Sequence, residues 1–365
     1  MKKMTALLLT GMMVLGAGAM NVSAAEDGAE TVNISALNAQ GEMEEMEVPY
    51  DPQRVAILDF AALDIMDNLG LGDRVVGCAS TTLDYLKKYT EQDGVEKLGT
   101  IKEADLEAVM ACEPDVIFIG GRLSKSYDAL SEIAPVVYLA TDVEKGVVES
   151  THENAGVIAS IFGMEDQVEE KFAGFDERIA ALQEAAEGKT AVIGMCTSGS
   201  FNVLGNDGRC SIIGTEIGFD NLCKETSSER SGERGGQDAG EGNRGEGKGE
   251  ENAERTDSAE KTENAEGADS TQGGTATHGN EASFELIVSL NPDYIFVMDR
   301  DAAIGTDGAQ LARDIMENEL VMGTDAYNNG NLVYLENPAV WYTAEGGITA
   351  LDTMLSDLEA SLIQE

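Results

Sequence analysis

From residue 48 onward, short continuous apolar runs alternate with amphipathic stretches. Residues 55–58, 75–78, 116–119 and 136–139 are each four apolar or small residues in a row, rich in Val and Ile, with no polar position between them. Runs of that kind predict strands buried on both faces, hence a parallel sheet covered by helices. Residues 26–45 are polar and acidic and read as a loose N-terminus extending to 47. Residues 147–187 carry no strand signal. Val168, Phe172, Phe175, Ile179 and Leu182 recur there at three- and four-residue spacing, a helical stripe. The span 165–187 predicts an uninterrupted helix of roughly 35 Å, so residues 164–188 are expected to join two halves as a single long helix. A second α/β half starts at residues 190–194 and is expected to run to 365. Residues 224–283 interrupt it, without one Val, Ile, Leu, Met, Phe, Tyr or Trp. Such a composition predicts a disordered surface insert. The expected layout is a first α/β lobe (48–163), the connecting helix, and a second α/β lobe (189–365) broken by the insert.

Two segments repeat each other across that insert. Leu106-Glu107-Ala108-Val109 leads through Pro114-Asp115 into the run 116–119 and on to Arg122. Phe284-Glu285-Leu286-Ile287 leads through Pro292-Asp293 into the run 294–297 and on to Arg300. In both, Glu lies seven residues before Pro and Arg lies eight after it. Each Arg is thus expected just past the C-terminal end of a buried strand, where open α/β sheets bind ligands. Each Glu is expected at a helix start on the outer surface, a position the helix dipole also favours. Arg209, after Gly205-Asn206-Asp207-Gly208, follows a third turn-like segment. Either repeated arginine alone also reads as a solvated loop residue; the matched offsets favour a shared cleft. Guanidinium groups suit planar, oxygen-rich anions.

Charge changes the picture by exclusion. The 365 residues carry 68 acidic and 24 basic side chains, a formal net charge of -44. A nucleic-acid partner is therefore not expected, since phosphate is repelled. With 42% hydrophobic residues the chain can bury a core. Two histidines cannot make a multi-His zinc site. Lys2, Lys3 and the apolar run 7–15, followed by Val22-Ser23-Ala24-Ala25, read as a signal peptide over 1–25, so export is expected. No Cys suitable for lipid attachment follows it. Cys78, Cys112, Cys196, Cys210 and Cys223 match no metal spacing; Cys112 and Cys196 read as core residues, and a Cys210–Cys223 bridge is open. Signatures of a hydrolase, phosphate loop or zinc protease are missing from the sequence.

Several stretches taken together resemble a known family: 54–59, Gly120-Gly121-Arg122-Leu123-Ser124-Lys125-Ser126-Tyr127, 132–135, 291–300 and Trp341-Tyr342. The chain is similar to substrate-binding proteins of ABC importers for ferric siderophores, of the class III type with two α/β lobes joined by one backbone helix. The nearest group binds ferric catecholates. The resemblance implies a monomeric, non-enzymatic protein without an intrinsic cofactor, located in the periplasm or at the outer face of the cell membrane. Its ligand would be Fe(III) held as a ferric siderophore. It implies that Arg122, Arg209 and Arg300 bind the anionic complex, that His278 and Tyr342 coordinate iron, and that Glu107 and Glu285 dock on the permease dimer, which works with its ATPase. Fe(III) is hard and favours oxygen ligands, so a phenolate and an imidazole could complete the shell of a siderophore that leaves two sites open. Other ligands on the same fold, namely a hydroxamate siderophore, haem or cobalamin, form the alternative, and an exported hydrolase is the remaining one.

Overall fold

The computed structural model describes residues 23–24, 30–224, 280–281, 284–306 and 309–363. Residues 1–22 of the expected signal peptide, most of the insert and His278 lie outside them. Two sheets organise the chain. The first runs in the order Glu30–Leu37, Val136–Tyr138, Val116–Ile119, Val55–Ile57, Val75–Cys78, Glu96–Lys97. All neighbours from Val136–Tyr138 onward are parallel. The second runs Ser200–Val203, Thr190–Thr197, Tyr294–Asp299, Leu332–Tyr334, the last three mutually parallel. The apolar runs behave as their composition requires: Val116–Ile119 and Val55–Ile57 are buried at every position, as are the six central residues of Thr190–Thr197.

The repeat seen in the sequence is a repeat in space. Asp115 Oδ2 accepts from the backbone N–H groups of Gln53 (2.8 Å) and Arg54 (2.9 Å), fixing the entry of Val55–Ile57. Asp293 Oδ2 accepts from Thr190 N (2.8 Å) and Thr190 Oγ1 (2.9 Å), fixing the entry of Thr190–Thr197. The residue before each Pro, Glu113 or Asn291, has a positive φ of 45° or 41°. Each Pro-Asp therefore turns a helix into a strand and ties it to the strand beside it.

Three expectations need correction. Residues 30–49 are not loose: Glu30–Leu37 and Met43–Pro49 form an antiparallel hairpin on the first sheet. Val32, Ile34 and Ala36 alternate inward from it, while Asn38 Oδ1 accepts from Gln40 N and Glu42 N to close the turn (both 3.0 Å). The helical link is also not one rod. It consists of Val147–Phe162, Glu165–Phe172 and Phe175–Ala186. The first helix ends at left-handed Gly163 (φ 66°). The stripe over 165–187 breaks at Ala173–Gly174, where glycine is a poor helix former and Phe172 meets Phe175 edge-on at 5.4 Å. Finally, the C-terminal helix Ile348–Leu362 packs on the first lobe as well as the second. Buried Asp64, on helix Phe60–Asn68, accepts from Thr349 N (2.9 Å) and Ala350 N (3.0 Å) at its start. Arg178 of the link donates to Glu359 farther along it (2.7 Å). One apolar core accordingly runs from the first sheet through the link and the C-terminal helix to one face of the second sheet. A smaller core, including Val192, Phe201, Ile287 and Ile295, lies under the other face.

All five cysteines are buried and no disulfide joins them, so Cys210 and Cys223 are not bridged. Among the described residues no helix is long and apolar enough to cross a membrane.

Candidate binding cleft

Tyr342 is the centre of the site. It sits near the end of the short helix Pro338–Thr343, which neighbouring contacts hold from both sides. Trp341, fully buried, donates its indole N–H to Asp357 Oδ2 (2.8 Å) on the C-terminal helix, and Asn337 Nδ2 donates to Asp357 Oδ1 (2.7 Å). The helix terminus leaves carbonyls without intrahelical partners. Arg122 Nη2 takes the Tyr342 carbonyl at 2.9 Å, and Arg209 Nε approaches the same oxygen at 3.4 Å. The Arg209 guanidinium also lies over the Tyr342 ring, 4.2 Å from its centre. Arg300 Nε donates to the Tyr342 hydroxyl at 3.0 Å and its Nη1 to Thr197 Oγ1 at 3.2 Å. Three arginines from three segments thus meet on one residue.

Their settings differ. Arg122 stands on the turn after Val116–Ile119 and is exposed. Arg209 is partly buried, and loss of water pulls its guanidinium below the ordinary range. Arg300 opens the helix Arg300–Ala303 behind the tyrosine, 3.5 Å from the buried carboxylate of Asp301. A cavity of about 410 Å³ lies between the first lobe, the link and the second lobe. Arg122, Arg209 and Tyr342 line it, together with Asp59, Asp207 and Glu345; Arg300 is not among its lining residues. The cavity is therefore mixed in charge rather than uniformly positive, and its acids are what the sequence reading missed. Asp59 follows strand Val55–Ile57 and caps helix Phe60–Asn68 by accepting from Ala62 N (3.0 Å); burial raises its carboxyl above the usual range. Asp59 could have been found from its place after a strand end. Glu345, alone between Ala344 and Gly346, gave no such signal.

Tyr342 is 5% exposed, with its hydroxyl held by Arg300. Iron ligation by His278 lies outside the described residues. Among the described residues no group of three or more His, Cys, Asp or Glu could hold a metal ion. His152 pairs with Glu169 (3.0 Å) and packs on Phe172, a structural role. Glu107 and Glu285 are exposed in the first turns of Leu106–Ala111 and Phe284–Leu290, matched in the two halves as the repeat requires.

Two α/β lobes, a helical link between them and a cleft at the strand ends define a two-lobed solute-binding protein. The model of the periplasmic binding protein family matches residues 55–236 and 253–339, and the chain belongs to that family. It is a binding protein, not an enzyme. The chain is 30% identical to the petrobactin-binding protein YclQ of Bacillus subtilis over 97% of its own length and 96% of that protein's. The crystal structure of YclQ superposes with a TM-score of 0.72, covering 91% of this chain and 99% of that one at 28% identity. The catecholate-siderophore binding protein VctP of Vibrio cholerae gives a TM-score of 0.69 over 90% of this chain and all of that one, also at 28% identity. The ferric-anguibactin-binding protein FatB of Vibrio anguillarum is 23% identical over 84% of this chain and 81% of that one. The family resemblance read from the sequence is borne out.

Proposed function

We propose that this protein captures a ferric siderophore of the catecholate type in the cleft around Tyr342 and hands it to an ABC permease. The observation that carries this reading is the convergence of Arg122, Arg209 and Arg300 on Tyr342, which with Arg122 and Arg209 lines a cavity between the lobes. A ferric catecholate complex carries several negative charges on aromatic oxygens, and guanidinium groups match both features. Hydroxamate complexes, neutral or weakly charged, need no such cluster. The names of YclQ and VctP support the same class. Arg122 and Arg209 contact the ligand, and Tyr342 sets their positions with Arg300 behind it. Export by the signal segment places the protein outside the cytoplasmic membrane. Glu107 and Glu285 face the permease, one from each lobe.

Single replacements test the reading. Arg122→Ala and Arg209→Ala each weaken capture of a ferric bis- or tris-catecholate by about 1–3 kcal/mol, the range for a charge-assisted hydrogen bond. Unchanged affinity in both variants, measured by quenching of Trp341 fluorescence, would contradict the cleft assignment. Tyr342→Phe removes the Arg300 contact and leaves the carbonyl contacts in place. A ferric complex whose charge-transfer absorption shifts on binding to the wild type, but not to Tyr342→Phe, indicates direct iron ligation by the phenol.

A further inference from the structure

We propose that Glu345 sets the charge of this cleft and enters the ligand complex as the neutral acid, so that above neutral pH a proton is taken up with the anionic ligand. The inference rests on the ligand reading above. Glu345 lines the cavity with Arg122 and Arg209. Its Oε1 is buried and has no hydrogen-bond partner among the described residues. A carboxylate oxygen that is buried and unsatisfied loses hydration and gains nothing in return.

The groups facing Glu345 come from every element around it. Arg209 and Arg122 attract its charge, and the backbone N–H of Cys210 donates to it. Glu216 repels it from the end of the short helix Ile212–Thr215, where Glu216 itself is held by Val147 N and Val148 N (3.0 Å to the latter). The Cys210 thiol is pushed well above its ordinary value by burial and stays neutral. Asp59 and Asp207 add further acid to the cavity wall. Burial outweighs the two arginines, and the Glu345 carboxyl is raised to about 7 in the free protein. An anion arriving between Arg122 and Arg209 adds negative charge beside Glu345 and removes what water remains. Both effects favour the protonated form. The neutral acid can then donate its O–H to a ligand oxygen, where a carboxylate would repel it.

Affinity should therefore fall as pH rises above neutrality, by up to about tenfold per pH unit, because a proton must be bound along with the ligand. The test is isothermal titration of the full chain with ferric petrobactin from pH 6.5 to 8.5, for the wild type and Glu345→Gln. The ligand's own titration is common to both proteins. The expected result is a wild-type affinity that drops with pH by roughly ten- to thirtyfold more than that of the variant. At pH 8, wild-type titrations in phosphate and in Tris, buffers of unequal ionisation enthalpy, should report uptake of nearly one proton; this readout needs no variant. Tight binding with parallel pH profiles, or no net proton uptake by the wild type, overturns the role of Glu345 and leaves the ligand reading standing. Absence of binding by either protein at every pH overturns the ligand reading and the proposal with it.

Discussion

At the scale of single residues, the site is an arrangement of charges around one tyrosine. Arg300 reads through the Tyr342 hydroxyl and Thr197, so Arg300→Ala is expected to weaken ligand capture less than Arg122→Ala does, which side-by-side titrations would check. Glu345 also makes a prediction about the free protein. Its carboxyl ordinarily titrates near 4.5 and is held at about 7 here. The folded chain keeps a proton that the unfolded chain releases. Stability is therefore fully present below pH ~4.5 and is lost as pH rises through about 7, levelling off above it. Glu345→Gln should lose less melting temperature than the wild type between pH 5 and pH 8; equal losses would contradict the burial argument. The three arginines were legible in the sequence because two of them recur at fixed offsets from a Pro-Asp turn. Tyr342 as their meeting point was not, since its carbonyl and ring do the holding, and no sequence signal marks a backbone acceptor. The acids of the cavity were hidden for a different reason. In a chain with 68 acidic residues, a buried one looks like any other.

At the scale of elements, position is passed along a chain of caps. Asp64 fixes the start of the C-terminal helix, Asp357 on that helix fixes Trp341 and Asn337, and the helix they belong to presents Tyr342. Asp64 also accepts from Tyr85 Oη (3.0 Å) and Asn68 Nδ2 (2.7 Å). Asp64→Ala takes the acceptor from Tyr85 Oη and from the N–H groups of Thr349 and Ala350, while Asn68 Nδ2 keeps Thr349 Oγ1 (2.8 Å), and should cost about 2–4 kcal/mol in chemical denaturation. A loss below about 0.5 kcal/mol would show that the C-terminal helix is held otherwise. Continuous apolar strands were readable directly, because burial on both faces permits no polar position. The hairpin over residues 30–49 was not. Its second strand, Met43–Pro49, has three glutamates on an exposed edge, and that density masked the inward alternation of Val32, Ile34 and Ala36. The break at Ala173–Gly174 was masked in turn by an apolar stripe that continues through it.

At the scale of the whole molecule, two straps join the lobes: the three-helix link and the C-terminal helix with its contacts to both. Rearrangement on binding should be small, and solution scattering of the free and ligand-bound protein should give matching radii of gyration; a clear compaction would contradict a two-strap design. Glu107 and Glu285 belong to the outer faces, where Leu106, Met110 and Val288 are also exposed. Charge reversal at both glutamates should leave ligand affinity intact and abolish uptake through the permease; uptake at the wild-type rate would remove them from the docking surface. In a chain of net charge -44, the cleft sets Asp59, Asp207 and Glu345 against Arg122 and Arg209. The most direct test of a catecholate cleft is one fluorescence titration series on the protein, using Trp341, the single tryptophan, as reporter. Ferric enterobactin, ferric petrobactin, a ferric hydroxamate and haem would be compared at one pH. Submicromolar binding of a ferric catecholate, with the hydroxamate and haem far weaker, is the predicted result. Tight binding of the hydroxamate or of haem, with neither catecholate bound, would contradict it.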